Sequence, residues 1–542
     1  MKEALAQTLK LNRPNQEIEL ALEDLAAVMA ELKNDWGMIL LLDVWGMPAP
    51  GAASSAKDYQ IIYALRSLEA HQNLYVKVRV ARGQSVPSLA AWWPSVVWFE
   101  RELWDQWGIK FEPSRAERLF SHHLYVGHAG EALAADEQPM PVAEDLNFPA
   151  TEEGDATYTW LGPGHAVIRN VRLGVQLAEE TITQAKVELG LTCRGLEQQA
   201  AQTPIAAVLP LIAHLNAYDG PTTEIALANL VEQMLDLPIT DRAKSMRMML
   251  AELGRISAHS MVLGQTARAL NDQVNFLRAL KLREIIAEIF ERLGGKRDGT
   301  GIVQIGGLRY DMPRGLVPDS LEKLKLITKA IDEFDEEFTH SAFWAARNKV
   351  CPISAAAAIE WGITGPNLRA CGVNYDLRKV RPAYFYADVD FKIPLGINGD
   401  GHDRYLVRLE EMRQSCKIIT QVLDYLPVGL VQNADARLGT PLLQASERSL
   451  KSDHLPDGLV WHGGIANPTL PAQMAYQSWE APNGELALGL QGQNTTTPAR
   501  LKITAPSFFT LQAFPKIIQG ASLQDAFVTW RSLGIYPPEV DR

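Results

Sequence analysis

Cysteine is scarce in this chain. The 542 residues contain four cysteines, Cys193, Cys351, Cys371 and Cys416, and no two of them form a C-x-x-C pair. A disulfide framework needs more cysteines at closer spacing, and an iron-sulfur cluster or a nickel-iron centre needs clustered thiolates. We therefore expect free thiols in a reducing compartment, and no metal cofactor held by this chain.

Long apolar runs and an excess of positive charge are also missing. The longest strongly apolar run, residues 38–42 extended by Val44 and Trp45, is far shorter than the roughly 20 residues that cross a bilayer. Lysine and arginine total 52 against 64 acidic residues, so no broad footprint for nucleic acid is present. We therefore expect no binding of nucleic acid. The first residues lack an apolar core followed by a small-residue cleavage site, so we expect a cytoplasmic protein.

The first part of the chain predicts a small α+β domain over residues 1–127. Its clearest strand is residues 74–80, where apolar and polar side chains alternate, and residues 58–65 predict another. Pro94 opens a Trp-rich helical stretch. Residues 128–156 are rich in Gly, Ala, Pro and acidic residues without periodicity, which is typical of a linker.

The remainder, residues 157–542, predicts a mainly α domain with a peripheral β-sheet. Alternating residues 171–177 and 187–191 predict a hairpin, and Thr240 is suited to cap a long helix with one apolar face. Helical periodicity returns over 280–293 and 321–338, whereas the Gly/Pro-rich stretches 361–400 and 455–500 predict loops or short strands. The predicted fold class is α+β. Gly294-Gly295 and Gly306-Gly307 lack the context of a nucleotide-binding loop.

Several motifs occur in an order that resembles one known family. They are WFERELWDQWGI at 98–109, GPGH at 162–165, RGLE at 194–197, AELGRISAH at 251–259, GPNLR at 365–369, DLRK at 376–379, GDGHDRYLVRLEEMRQS at 399–415, EAPNGE at 480–485 and EVDR at 539–542. The first resembles the smaller peripheral-arm subunit of respiratory complex I. The others resemble the large subunit, which shares its fold with the large subunit of [NiFe] hydrogenases. The resemblance implies a fusion of the two, with a hydrogenase-like second domain docked on a small Fe-S subunit.

The resemblance also shows what is missing. Hydrogenases of this fold hold nickel and iron with two C-x-x-C pairs. Matching from Val231-Glu232 and from the final arginine places those pairs at Asn216 and Asp219, and at Tyr536 and Glu539. All four thiols are absent, so a Ni-Fe centre is excluded.

Complex I uses the same cavity to bind a quinone between a His and a Tyr, with an Asp beside the His. Here the pattern G-P-x-H-P-x-x-H keeps His165 but has Arg169 in place of the headgroup His. Ungapped matching puts Ala217 at the Tyr position and Ala269 at the Asp position, and Tyr218 substitutes only if the register slips by one residue. An arginine can donate hydrogen bonds and hold an anion, but it does not relay protons.

Three further features have two interpretations each. Arg194 matches a family arginine near the terminal Fe-S cluster of the partner subunit, and its alternative role is a surface ion pair. His259 lies on an apolar-striped helix, which favours a hydrogen-bonded core histidine over a functional one. The charges of 400–413 favour a buried or interface ion-pair network over catalysis, although they could also pass a signal towards a membrane arm.

These observations favour an electron-transfer subunit of a membrane-associated, complex I-like or hydrogenase-related oxidoreductase. By resemblance, its partners are a small Fe-S subunit with a [4Fe-4S] cluster, a ferredoxin-like Fe-S subunit and membrane-arm subunits, with the chain peripheral on the cytoplasmic side. Together with the small subunit it would form a cavity for a quinone or another small acceptor. The alternative is a catalytically silent scaffold that couples a redox module to ion-translocating subunits.

Overall fold

The N-terminal part of the chain builds a four-stranded sheet with helices on one face. In the computed structural model, residues 15–49, 58–113, 119, 158–433, 460–461 and 467–542 are described. The first elements are β1 (Asn15–Leu20), α1 (Leu25–Asn34), β2 (Leu40–Pro48), β3 (Tyr59–Ser67), β4 (Gln72–Val80), β5 (Val86–Pro87), α2 (Val96–Trp107) and β6 (Phe111–Glu112).

The sheet has the order β1-β4-β3-β2, with β1 parallel to β4 and the other pairs antiparallel. In β4 the alternation is visible at its end, where Val78 and Val80 are buried, Lys77 is half-buried and Arg79 is exposed. Tyr75 on the polar face is buried as well, because Tyr476 from the second region packs edge-on against its ring. The sheet is therefore covered on both faces around Tyr75.

The second region is mainly helical. Its elements are β7 (Thr159–Leu161), β8 (Arg172–Ala178), β9 (Thr181–Glu188), α3 (Leu196–Ala200), α4 (Ile205–Ile212), α5 (Gly220–Met234), α6 (Asp241–Ala269), α7 (Gln273–Gly294), β10 (Val303–Gln304), β11 (Gly307–Leu308), β12 (Tyr310–Asp311), α8 (Leu316–Thr339), α9 (Ala342–Asn348), α10 (Ala355–Glu360), α11 (Gly365–Ala370), α12 (Leu377–Val380), α13 (Gly401–Asp424), β13 (Val460–Trp461), β14 (Met474–Ala481), β15 (Gly484–Gln491), β16 (Arg500–Thr504), α14 (Pro506–Ile517), α15 (Leu523–Leu533) and α16 (Pro537–Val540).

Helix α6 is the centre of the helical core. The Thr240 hydroxyl caps it by accepting a hydrogen bond from the Ala243 amide at 3.3 Å, as the sequence predicts. The helix is buried along almost its whole length and packs against α5, α7, α13 and α15. A helix buried on all sides carries its polar residues inside the protein, so these must find partners there.

Two small antiparallel sheets flank the helices. Strands β8 and β9 form a hairpin, joined by β7, and β14, β15 and β16 form the second sheet. The first strand agrees with the prediction, but the second begins at Thr181, directly after the turn, and ends at Glu188, so its predicted bounds of 187–191 were wrong. The α+β fold class, with a small N-terminal sheet domain and a mostly helical second part, is thus confirmed. The linker predicted at 128–156 lies outside the described residues, so the domain limits stay a prediction.

Polar and aromatic contacts join the two regions. Glu102 of α2 reaches Lys502 at 2.8 Å and Arg542 at 2.6 Å, and Trp45 stacks on Tyr476 with ring centroids 5.2 Å apart. The packing places the sheet formed by β14–β16 directly against the N-terminal region. Of the helices within the described residues, none combines the length and the apolar character that crossing a membrane requires.

Candidate functional site

One cavity brings together three of the positions that the sequence singles out. It has a volume of about 250 Å³ and lies between the turn after β7, the start of α5, the middle of α6 and the segment that follows α15. Arg169, Tyr218 and Tyr536 line it. The other lining residues are Val167, Asn170, Val262, Gln265, Trp530, Arg531, Gly534, Ile535 and Pro537. The lining is therefore mixed: aromatic and apolar side chains alternate with cationic and amide groups.

The turn over residues 162–170 presents Arg169 to the cavity. Gly162 has a φ of +92°, and a Cβ there would meet the Val171 carbonyl oxygen at 2.2 Å, so only glycine fits. His165 Nδ1 accepts hydrogen bonds from the amides of Val167 and Ile168 at 3.3 and 3.2 Å. Since its Nδ1 is engaged in the turn and His165 does not line the cavity, the structure gives it a positioning role.

The four positions that sequence matching assigns to the hydrogenase cysteines lie close together in the structure. Asn216 donates a hydrogen bond to Glu539 Oε2 at 3.0 Å, and its own oxygen accepts from the Tyr218 amide at 3.0 Å. The Tyr218 and Tyr536 rings meet edge to face, with centroids 5.2 Å apart. These contacts of Asn216 with Glu539 and of Tyr218 with Tyr536 hold the start of α5 against the C-terminal segment.

Both carboxyls in this group are buried. Burial raises the pKa of Glu539 from 4.5 to about 7, although hydrogen bonds from Ser507 and Asn216 act in the opposite direction. Burial likewise raises the pKa of Asp219 from 3.8 to about 7, against the hydrogen bonds from Thr222. At neutral pH each carboxyl is therefore poised between its neutral and charged forms.

The structure places Tyr218, and not Ala217, on the cavity. Ala217 is exposed, and Ala269 is half-buried at the end of α6 without lining the cavity. This arrangement supports the one-residue slip of register. Arg194 is half-buried, and its guanidinium contacts the His214 carbonyl oxygen at 3.5 Å. Burial raises the pKa of the Tyr536 phenol, and Arg194 lies close enough to act in the opposite direction, so it borders the cavity region.

Sequence reasoning missed several polar groups of the cavity. Arg531 lines it and donates to the Ala166 carbonyl oxygen at 3.0 Å, and Gln265 of α6 also reaches the wall. Behind Tyr218, the Arg283 guanidinium carbon lies 5.5 Å from the phenol ring centroid. Arg531 stands in the last turn of α15 and Arg283 in the middle of α7, where a sequence pattern predicts ordinary helix-surface cations.

The charged residues of 400–413 form the predicted buried ion-pair network in part. On α13, Glu411 contacts Arg369 at 2.7 Å and His259 Nε2 at 2.8 Å. Arg408 donates to the Leu533 carbonyl oxygen at 3.1 Å, which ties the network to the wall of the cavity. Arg413, in contrast, pairs at the surface.

His259 is the satisfied core histidine that the helix pattern favours. It is fully buried, with Glu411 at one ring nitrogen and Arg408 at the other, 3.2 Å away. Burial lowers its pKa to about 4, although Glu411 acts in the opposite direction. Elsewhere, too, the described part of the chain contains no group of three or more His, Cys, Asp or Glu side chains arranged to hold a metal ion.

Known proteins resemble this chain along most of its length. The family model of the respiratory-chain NADH dehydrogenase 49 kDa subunit matches residues 271–542, and that of the 30 kDa subunit matches residues 18–136. The chain is 34% identical over 539 residues to the NADH-quinone oxidoreductase C/D subunit of Bdellovibrio bacteriovorus, covering 97% of this chain and 95% of that protein. The chain belongs to the family of fused C/D subunits of NADH-quinone oxidoreductase.

Other relatives show the same relationship. The C/D subunit of Shewanella woodyi is 30% identical, with 93% of this chain and 88% of that protein covered. The D subunit of Myxococcus xanthus is 35% identical, and the match covers 70% of this chain and 92% of that protein. The predicted fusion of the two complex I peripheral-arm subunits is therefore confirmed.

Proposed function

We propose that this chain, together with a small Fe-S subunit, forms the acceptor cavity of a complex I-like oxidoreductase that reduces a quinone. The observation that supports the proposal most directly is the convergence of Tyr218 and Arg169 on one aromatic cavity. The family adds support, since the relatives are named NADH-quinone oxidoreductase subunits. The cavity volume of about 250 Å³ is below the about 300–1,000 Å³ of pockets that hold whole drug-sized ligands, so it suits a headgroup.

The cavity residues can perform distinct parts of this reaction. Tyr218 can donate a hydrogen bond to a quinone carbonyl oxygen and then transfer its proton as electrons arrive. Arg169 can donate hydrogen bonds to the same headgroup and stabilise negative charge on it, but it keeps its own proton. Gln265 and Asn170 supply neutral amides that can orient the ring. Tyr218 is thus our choice for the proton donor.

The partners follow from the same proposal. A small Fe-S subunit of the complex I and hydrogenase type would bring a [4Fe-4S] cluster to the side of the cavity where the half-buried Arg194 lies, and the cation there would raise the reduction potential of the cluster. A ferredoxin-like Fe-S subunit would supply electrons, and membrane-arm subunits would hold the assembly on the cytoplasmic side of the membrane.

The scaffold function remains the second candidate, and two residues favour it. Arg169 stands where the family pattern has its headgroup histidine, and Ala269 stands where the pattern has its aspartate. If the cavity no longer supports electron transfer, the chain would still join the redox subunits to the membrane subunits.

Substitutions in the purified, assembled complex separate the two candidates. We expect Tyr218→Phe to lower the kcat for reduction of a soluble quinone by at least about tenfold, since a positioned proton donor contributes about 10²–10⁴-fold. We expect Arg169→Ala to raise KM. Tyr425→Phe and Arg297→Ala alter exposed residues that do not line the cavity and serve as matched controls.

Reduction of ferricyanide, a hydrophilic acceptor that bypasses the cavity, shows whether each variant complex has assembled. Loss of quinone reduction with ferricyanide reduction retained supports the acceptor cavity. Quinone turnover that neither cavity substitution changes would support the scaffold.

A further inference from the structure

Four arginines surround the cavity. Arg169 and Arg531 line it, and Arg283 stacks behind the Tyr218 ring. Arg268 follows on α6, with its guanidinium 5.3 Å from the Phe276 ring centroid and close enough to Arg531 to act on its charge. Positive charge is thus concentrated at one place in a chain whose net charge is −12.

These arginines lack carboxylate partners within the described residues. Arg531 donates to a backbone carbonyl and Arg283 to the Ser257 hydroxyl at 3.2 Å, and both are neutral acceptors. Buried arginines elsewhere in the protein behave differently, since Arg247 pairs with Glu232 at 2.7 Å. Two of the four, Arg531 and Arg283, are half-buried, and the other two are exposed to solvent. A half-buried guanidinium without a counter-ion is unfavourable, so Arg531 and Arg283 make this cluster suited to an anion that is not part of the chain.

The electrostatics of Arg531 agree with this view. Burial, together with the nearby guanidiniums of Arg169 and Arg268, lowers its pKa from 12.5 to about 10, against an opposite effect of Tyr218. An anion bound among the three arginines would relieve that repulsion.

The nearest carboxyls do not neutralise the cluster. Glu539 is bonded to Ser507 and Asn216, and Asp219 to Thr222. Because burial raises the pKa of both carboxyls to about 7, much of each is protonated at neutral pH. Neither forms an ion pair with an arginine of the cavity in the described structure.

The walls between the arginines are aromatic. Tyr218, Tyr536 and Trp530 line the same cavity as Arg169 and Arg531. Flat aromatic walls favour a planar ring, and guanidinium groups favour anionic oxygens.

We infer that the cavity takes an anionic, planar headgroup: a quinone carrying an acidic ring hydroxyl that is ionised at neutral pH. The quinone part rests on the proposed function, and the charge rests on the arginines. The ionised oxygen would accept hydrogen bonds from Arg531 and Arg169, and Tyr218 would remain available to a neutral ring carbonyl.

Equilibrium binding to the purified, assembled complex tests the inference with two matched compounds. At pH 7, 2-hydroxy-1,4-naphthoquinone is an anion, whereas 2-methoxy-1,4-naphthoquinone has nearly the same shape and is neutral. We expect the hydroxy compound to bind at least about tenfold more tightly, since charge-assisted hydrogen bonds are stronger than neutral ones.

Variants of the complex show which residues cause the preference for the anionic compound. Arg531→Gln should bring the two affinities to within about threefold, and the double variant Arg169→Gln/Arg531→Gln should abolish the difference. Arg531→Lys keeps the charge and should retain most of the preference. Arg297→Gln removes an exposed cation away from the cavity and should leave the preference unchanged.

The outcomes separate this inference from the proposed function. Equal binding of both compounds would overturn the inference, because it would mean that the arginines are neutralised in the complex, for example by a carboxylate of a partner protein. A preference that survives the double variant would also overturn it. A preference for the anion without any quinone reduction by the complex would overturn the proposed function and leave the anion site standing.

Discussion

Replacing Glu102 by Gln should loosen the N-terminal region from the rest of the protein. Glu102 accepts from Lys502 at 2.8 Å with both carboxylate oxygens and from Arg542 at 2.6 Å, and all three side chains are at most 2% exposed. Glutamine has the same shape without the charge. The substitution leaves Lys502 and Arg542, with Arg500 nearby, paired with the carboxylate of Glu197. The buried Asp43 is close enough to act on these cations but forms no ion pair with them in the described structure.

The expected loss is large because the cations stay buried. Removing one partner of a buried ion pair costs about 3–5 kcal/mol, whereas an exposed pair contributes about 0–1 kcal/mol. Since 1.4 kcal/mol is a factor of ten, the opening equilibrium of α2 should shift towards the open state by at least about a hundredfold. The stacked Trp45–Tyr476 pair remains, so we expect loosening and not complete unfolding.

Hydrogen exchange of the α2 backbone amides, followed by mass spectrometry, measures this opening directly. Glu17→Gln is the matched control, since Glu17 pairs with Lys77 at the surface of the same region and should change protection little. The double variant Glu102→Gln/Lys502→Met removes one stranded cation and should recover part of the loss. Protection in Glu102→Gln equal to that in Glu17→Gln would refute the reasoning.

Three further substitutions test the interior of the second region. Gly254→Ala should lower the Tm, because the new Cβ would lie 2.2 Å from Asp219 Oδ1, whereas Gly164→Ala meets nothing within 4 Å and should leave the Tm unchanged; equal Tm values would contradict this. Glu539→Gln should remove a pH dependence: the folded pKa of about 7 is above the ordinary 4.5, so this group stabilises the fold below about pH 4.5 and loses that contribution as the pH rises to about 7. The Tm of wild type should therefore fall relative to that of the variant between pH 5 and 8, and parallel curves would contradict it. Arg369→Met removes a cation shared by three buried carboxylates, of which Asp376 keeps Arg378 as a partner, and should cost about 3–5 kcal/mol in urea unfolding. A loss below about 1 kcal/mol would contradict this expectation.

Much of the fold could be predicted because local signals and the family motifs agree. The alternation of the hairpin, the Thr240 cap and the apolar face of α6 are local patterns, and each gives the element that the physics of period and capping requires. The burial of Tyr75 on the polar face of β4 could not be predicted in this way. Its cause is Tyr476, which is some 400 residues away in the chain and is brought near only by tertiary packing.

The site was predictable where the chain is aligned without gaps, and less so elsewhere. The final arginine fixes the register of Tyr536 and Glu539, and the structure brings both to Asn216 and Tyr218. The ungapped match placed Ala217 at the tyrosine position, one residue before the side chain that lines the cavity. The start of α5 is held by the side-chain bonds of Asn216, and a one-residue shift before a helix leaves no trace in hydrophobic periodicity.

Two cationic groups at the cavity, those of Arg531 and Arg283, could not be predicted. Arg531 and Arg283 occupy helix positions at which an arginine is usually solvated, and their sequence neighbours are ordinary. What distinguishes them is the absence of an acidic partner among the described residues, and this is a property of three-dimensional packing. Sequence reasoning identifies a substituted ligand such as Arg169 more easily than it identifies a cluster assembled from α6, α7 and α15.

The charged contact of Glu102 with Lys502 and Arg542 has a consequence for why the two regions share one polypeptide. Charge pairs give specificity and orientation more than they give affinity. Covalent linkage raises the effective concentration of the two regions to the millimolar range and fixes their ratio at one to one. In this chain the covalent connection keeps the two regions associated, and the ion cluster determines how they are oriented.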